Sequence, residues 1–235
     1  MKLLRATALD RVVFPEFRDR IIAAEQSALV HEPRSYLGYP KTALLPARAR
    51  PFTGLDQTLR ARRIQRNLPD RAPTQRALSR LLGLAHGVCD SEGRGPVPSS
   101  GKLQALELFV APFAASAWLK HGVYHYDRAG HHLSRVAEGR SRPDWERSIP
   151  SLSQFEGGAL LWILVSDAAR LSDKYGDRGA RFALLEAGHL MQNLCLLSAS
   201  MKLCTIPLGG FFEHEVARTL CLPRTDAVLY LGACG

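Results

Sequence analysis

Lys174-Tyr175-Gly176-Asp177-Arg178 leads shortly into Phe182-Ala183-Leu184-Leu185-Glu186-Ala187-Gly188-His189-Leu190-Met191-Gln192-Asn193-Leu194. No proline falls between Ala180 and Met201, and Ala183, Ala187, Leu190, Leu194, Leu197 and Met201 recur at helical spacing. The spacing predicts a helix over 180–201. At about 100° per residue, Glu186, His189, Gln192 and Asn193 share an arc of about 120°, and apolar or small side chains take most of the remainder. A helix so widely apolar is central to its fold. Its polar stripe has to be hydrogen-bonded, because an unpaired buried polar group costs about 1–3 kcal/mol, so it faces a polar cavity, a ligand or another subunit. Gly188 in mid-helix costs about 0.8–1 kcal/mol against alanine, which marks a close backbone approach. Beyond the helix, Leu203 to Leu208 reads as a short strand that Pro207 confines to an edge or a strand end. Gly209-Gly210 then forms a turn that lets a neighbour approach the backbone.

Working outward, Gly158 to Ser166 is apolar enough for a buried strand, and Ala169 to Lys174 leads into the opening segment. Glu213 to Leu220 forms a short helix and Ala227 to Gly232 a last strand. Gly122 to Tyr126 and His131 to Val136 alternate about Asp127-Arg128-Ala129-Gly130 as a hairpin, and His125, His131 and His132 do not have the spacing of a metal site. Pro143 to Gly157 reads as a surface loop or short helix. Thr74 to His86 is a helix that Gly87 ends. Before it, Arg60, Arg62, Arg63 and Arg66 cluster as either a solvated basic face or an anion site. After it, Pro98-Ser99-Ser100-Gly101-Lys102-Leu103-Gln104 is a small-residue loop that precedes the strand Leu106 to Val110. Such a loop is either a plain turn or one that lets backbone N–H groups approach an anion.

The 46% hydrophobic composition of this 235-residue chain allows a full core. We expect residues 1–57 to be an extension, with a helix from Phe17 to Val30 and an extended, proline-broken arm after it, and residues 58–235 to be one domain. No apolar run approaches the roughly 20 residues of a membrane span. Lys2, Arg5, Asp10 and Arg11 interrupt any signal-peptide core, so the expected location is cytoplasmic. Five cysteines without a Cys-x-x-Cys pair support neither a disulfide framework nor a zinc knuckle. The net charge of +9 fits nucleic acid, an acidic peptide or a cofactor phosphate, and no nucleic-acid motif accompanies it. Strands and helices without strict βαβ order indicate an α+β fold, and no Gly-x-Gly-x-x-Gly follows a strand.

Lys174 to Arg178, Leu184 to Leu194 and Pro207 to Phe211 together resemble the flavin-dependent nitroreductase superfamily, and within it the SagB-type dehydrogenases that oxidise azoline rings in peptides. The resemblance covers about residues 60 to 233. It implies a nitroreductase fold, a central mixed sheet surrounded by helices, in a homodimer with flavin sites at the interface. It also implies FMN bound by Arg62, Arg63 and Arg66 and by Ser99, Ser100, Gly101, Lys102, Gln104, Gly209 and Gly210. Ile64 stands where the family carries a serine, and Lys102 and Gln104 are similar to the polar residues of plain nitroreductases. The Lys174-Tyr175 pair matches the catalytic couple of azoline oxidases, in which a base takes the substrate proton as hydride passes to flavin N5. A lysine in water holds its proton up to about pH 10.4, so one acting as base needs desolvation or cations nearby, and Arg178 and Arg181 are close in sequence. The implied substrate is a peptide or small molecule, with a biosynthetic partner enzyme. An NAD(P)H-dependent nitro or quinone reductase, and a scaffold subunit without catalysis, are the alternatives.

Overall fold

The computed structural model describes residues 14–26, 34, 36–46 and 54–235. The central strands are β3 (Leu106–Pro112), buried at every position, and β7 (Leu160–Asp167), buried at all but its last residue. Antiparallel pairing from Leu106↔Ser166 to Pro112↔Leu160 places them side by side. Around them the sheet runs β1 (Lys41–Ala43), β5 (His132–Ala137), β4 (Val123–Asp127), β3, β7, β9 (Asp226–Cys234), β8 (Thr205–Leu208). Every neighbouring pair in it is antiparallel. This corrects the expected mixed sheet. Parallel pairing among the described residues is confined to a two-residue ladder between β2 (Asn67–Leu68) and β6 (Glu156–Gly157). The β4–β5 hairpin and the return of β9 against β8 each reverse the chain, which produces antiparallel neighbours.

Alternate side chains of the central strands serve two cores. Leu106, Leu108, Val110, Trp162 and Leu164 face α3 (Gln75–His86) and α6 (Gly179–Ser200), where Leu78, Leu81, Leu82, Leu190 and Leu194 meet them. Phe109, Ile163 and Val165 face α4 (Arg142–Glu146), the 3-10 turn Pro150–Gln154 and α7 (Glu213–Thr219). Of the two readings for Pro143 to Gly157, the short helix holds, in α4 and the 3-10 turn, and the segment is packed into the core and not laid over the surface. Trp145, Ile149 and Leu152 are fully buried in the second core.

Thr74 caps α3 by accepting the Ala77 amide at 3.2 Å, and α6 extends within a residue of its sequence-based limits. β8 is an edge strand, where Pro207 gives up no ladder hydrogen bond that the sheet needs. The N-terminal helix α1 spans Phe14–Gln26, and residues 27–30 of the expected helix lie outside the described residues. Residues 36–46 of the arm are fastened down. β1 pairs with β5, Gln75 donates to the Ala43 carbonyl at 2.9 Å, and Leu45 N–H donates to Ser79 Oγ at 2.9 Å. Among the described residues no helix is long and apolar enough to cross a membrane.

Candidate functional site

The residues singled out from the sequence gather at two ends of the central strands. At the Leu106 end, the loop from Ser99 to Gln104 enters β3 through a 3-10 turn, Ser100–Lys102. Gly101, Lys102 and Gln104 all take left-handed backbone angles, with φ of 58°, 60° and 52°. Only glycine adopts these at no steric cost, so the other two are held there by their surroundings. Gln104 N–H donates to Ser99 Oγ at 2.8 Å, and Lys102 N–H to the Ser99 carbonyl at 3.2 Å. Ser100 N–H donates to the buried carboxylate of Glu186 at 2.6 Å. Burial pushes the Glu186 carboxyl above its usual range, while its bonds from Ser100 pull the other way.

Gly101 meets the proposed couple. A Cβ there would overlap the Tyr175 hydroxyl and stand 3.1 Å from Lys174 Nζ. Helix α5 (Ala168–Tyr175), capped by Asp167 accepting from the Arg170 amide, delivers the pair to this point. The Tyr175 ring is buried between Phe182, edge-on at 4.8 Å, and Phe17 of α1, stacked at 6.3 Å. Behind the loop lies a buried ionic cluster. Arg34 pairs with Asp226 at 2.6 Å, Arg170 with Asp167 at 2.9 Å, and His125 with Glu107 at 2.8 Å. Burial works against the Arg34 charge, but Asp226 and Glu107 outweigh it and raise its pKa. A cavity of about 250 Å³ opens here, lined by Lys102, Gln104, Glu107, His125, Arg128 and Arg170.

The arginine loop lies at the other end, between α2 (Leu55–Ala61) and β2. Arg62 N–H closes α2 on the Thr58 carbonyl, and the Arg63 carbonyl accepts Cys204 Sγ–H at 3.3 Å. Arg66 donates to the Gln154 carbonyl at 3.0 Å. The same 3-10 turn, through Ser151 Oγ–H, donates to the Gly210 carbonyl at 2.8 Å, so Pro150–Gln154 links the arginines to the Gly-Gly turn. Among the described residues no carboxylate lies within ion-pair distance of Arg62, Arg63 or Arg66. Gly209 faces open space, and the Ile64 side chain is exposed. Three cations without carboxylates beside an open glycine turn fit the phosphate end of FMN, since a phosphate supplies the missing anionic partner.

Within one chain the two sets lie toward opposite ends of the central strands. Cys204 bonds to the terminal Gly235 beside the Leu160–Cys234 pair, whereas the Ser99–Gln104 loop enters the sheet at the Leu106–Ser166 pair. Six strand steps of about 3.4 Å separate those rungs by about 20 Å. The stripe of α6 divides in the same way. Glu186 is satisfied inside, and Asn193 donates to the Ala85 carbonyl at 3.3 Å. His189 and Gln192 are exposed alongside Leu184 and Leu185. Among the described residues a Cβ at Gly188 would meet nothing within 4 Å beyond its own helix, so the close approach expected there is not made by them. A second cavity of about 290 Å³, lined by Leu55, Leu84, Asn193 and Leu197, indents this face.

Residues 59–235 match the model of the Nitroreductase family, and the chain belongs to that family. Its members are typically FMN-dependent oxidoreductases. The chain is similar to the Methanocaldococcus jannaschii protein named "Putative nitroreductase MJ1384", at 31% identity over 177 residues, 74% of this chain and 88% of that one. It is 30% identical over 162 residues to the microcin B17-processing protein McbC of Escherichia coli, across 66% of this chain but only 59% of McbC. The crystal structure of "a putative nitroreductase" from Ralstonia eutropha superposes with a TM-score of 0.72 at 22% identity, covering 88% of this chain and 94% of that one. A chain of the Escherichia coli microcin synthetase McbBCD complex, solved with truncated pro-MccB17 bound, superposes with a TM-score of 0.63 at 20% identity, covering 97% of each. At these identities the two structures speak to the fold.

Several contributors had no signal in the sequence reading. Arg128 and Arg170, which hold Gln104, come from a hairpin turn and from α5, and Phe17 comes from outside the family-matched segment. Their meeting depends on strand pairing across dozens of residues. Glu186 was legible as part of the helix stripe, although its partner was not.

Proposed function

We propose that this nitroreductase-family oxidoreductase is an FMN-dependent dehydrogenase of the SagB type, oxidising an azoline or a similar C–N or C–C bond in a peptide or natural-product intermediate. The observation that carries the reading is the seating of Lys174 and Tyr175 against Gly101. It places an amine and a phenol at the tip of the loop assigned to the flavin. The similarity to McbC, a processing protein, supports the substrate class. FMN, when bound, supplies a two-electron acceptor. Arg62, Arg63 and Arg66 hold its phosphate, and Gly209 and Gly210 leave room for it. Ser99, Ser100, Gly101 and Lys102 flank the ring. Converting an azoline to an azole removes one proton and one hydride; the free amine of Lys174 or the phenolate of Tyr175 would take the proton, and the bound flavin would supply the hydride acceptor.

A homodimer completes the site in this reading, because the arginine loop of one protomer then meets the Ser99–Gln104 loop of its partner. The exposed face of α6, with Leu184, Leu185 and Gly188, is the surface to be covered, and Gly188 there finds its close approach. Nitro or quinone reduction with NAD(P)H is the second reading, favoured by the similarity to MJ1384 over most of that protein.

The test separates binding from chemistry. The purified protein is expected to be yellow and to release FMN on denaturation. Lys174→Ala and Tyr175→Phe keep flavin and lower turnover of a thiazoline or oxazoline peptide, with oxygen as acceptor, by about 10²–10⁴-fold. Arg63→Ala loses flavin first, since a charge-assisted phosphate contact contributes roughly 1.5–3 kcal/mol. Full activity in both the Lys174 and Tyr175 variants rules out the couple. A protein that reduces nitroaromatics with NADPH and leaves azolines untouched belongs to the second reading.

A further inference from the structure

We propose that Arg128 is a positioning residue for the flavin-facing loop, clamping Gln104 so that Gly101 and Lys102 keep their left-handed conformation against Lys174 and Tyr175. The inference rests on the reading of Ser99–Gln104 as a flavin loop. Arg128 sits in the turn of the β4–β5 hairpin, half-buried, and its guanidinium reaches three separate segments. Nε donates to the His86 carbonyl at 3.1 Å, one terminal nitrogen to Gln104 Oε1, and the other to the Gly93 carbonyl at 3.3 Å. All three acceptors are neutral oxygens. Among the described residues it has no carboxylate within ion-pair distance, unlike Arg34, Arg94 and Arg170 nearby. Burial accordingly pulls its pKa below the ordinary arginine value.

A cation in such a place costs stability unless its geometry is used. The use is visible at Gln104. Its side chain is taken by Arg128, its carbonyl by Arg170 at 3.1 Å and its amide by Ser99 Oγ at 2.8 Å, so every polar group but the amide nitrogen of the side chain is committed. Gln104, which the resemblance assigns to the flavin, keeps its side-chain amide nitrogen uncommitted beside the cavity. It is the anchor of the loop, and Arg128 is what grips the anchor. Lysine cannot replace it, because an ammonium on a flexible stem lacks the planar fork that spans three fixed acceptors.

The experiment uses the full chain. FMN titration and amide deuterium exchange across residues 100–104 are compared for wild type, Arg128→Lys, Arg128→Met and Arg128→Ala, with circular dichroism as the check on folding. All three variants weaken FMN binding by about 10- to 100-fold, the loss of a hydrogen bond to a charged group, and speed exchange in the loop. Guanidinium ion at a non-denaturing concentration restores binding to Arg128→Ala, whose vacated space admits it, and not to Arg128→Met. Gln104→Ala reproduces the defect, and combining it with Arg128→Lys adds nothing further, which keeps the test open should one variant fold poorly. Folded Arg128 variants with wild-type exchange in the loop, or strictly additive effects of Arg128→Lys and Gln104→Ala, overturn the clamp. A wild-type protein that binds no FMN overturns the functional reading instead, and the exchange comparison still decides the clamp.

Discussion

His86 lies buried at the last turn of α3, and its Nε2–H donates at 3.0 Å to the carbonyl of Leu106, the first residue of β3 and two residues beyond Gln104. A carbonyl only accepts, so Nδ1 is the unprotonated nitrogen, and it is buried without a hydrogen-bond partner among the described residues. A second proton would enter that apolar position. Burial first, and then the charge of Arg128, drive the His86 pKa down to about 3. The sign follows from proton counting. Below the ordinary histidine pKa the unfolded chain takes up a proton that the folded chain refuses, so stability is fullest above about pH 6.5 and is lost as pH falls toward 3. Between about pH 7 and pH 5.5 this one group removes about 1 kcal/mol. His86→Gln keeps a donor for Leu106 and does not titrate. The wild-type unfolding free energy in urea, relative to that variant, is expected to drop by that amount over the interval. A difference that stays constant with pH would show that the buried imidazole protonates in place. At this scale motif and chemistry divide what could be foreseen. Gly101 and the Lys174-Tyr175 pair were singled out because they lie in short segments that match family motifs, whereas Arg128 was one arginine among many until strand pairing placed it against Gln104.

Helix α6 shows what periodicity can and cannot deliver. Its limits and its apolar character were readable from 22 residues without a break. What faces each side was not, because helical spacing identifies a side chain's angular position and not the partner waiting there. The stripe holds a buried carboxylate serving the 99–104 loop, an asparagine bonded to α3, and two polar residues open to solvent. β1 escaped the sequence reading for a related reason: three residues carry no period, and only pairing with β5 makes them a strand. The two sides of α6 should respond oppositely to truncation. Leu190→Ala, at a fully buried position, is expected to cost about 2–5 kcal/mol of unfolding free energy. Leu184→Ala and Leu185→Ala, at half-exposed positions, should change the stability of the isolated chain by less than about 0.5 kcal/mol while weakening self-association. Equal losses of stability on both sides, with no change in association, would contradict the assignment of that face to a second copy.

At the scale of the whole molecule, the separation of the two residue sets is itself informative. About 20 Å of strand divides the arginine loop from the Ser99–Gln104 loop, yet family resemblance assigns both to one flavin. Sequence order could not reveal this, since motifs are read along the chain and the distance between them is set by the sheet. If each site draws its arginines from one protomer and its loop from the other, complementation follows from two-fold symmetry. Arg63→Ala removes one of the cations proposed to hold the phosphate, and Lys102→Glu, at an exposed position, puts a negative charge at the loop. Each homodimer carries two damaged sites. A heterodimer of the two variants carries one site with both lesions and one with neither. Co-expression of differently tagged chains produces heterodimers as about half of all dimers, so about a quarter of all sites should bind FMN with wild-type affinity, and half of them in heterodimers isolated by both tags. If both sets belonged to the same protomer's site, every site in the mixture would keep one lesion and none would recover. Light scattering on the same samples gives the second arm: a mass near the 25.9 kDa of one chain across the concentration range would remove the interface on which this argument stands.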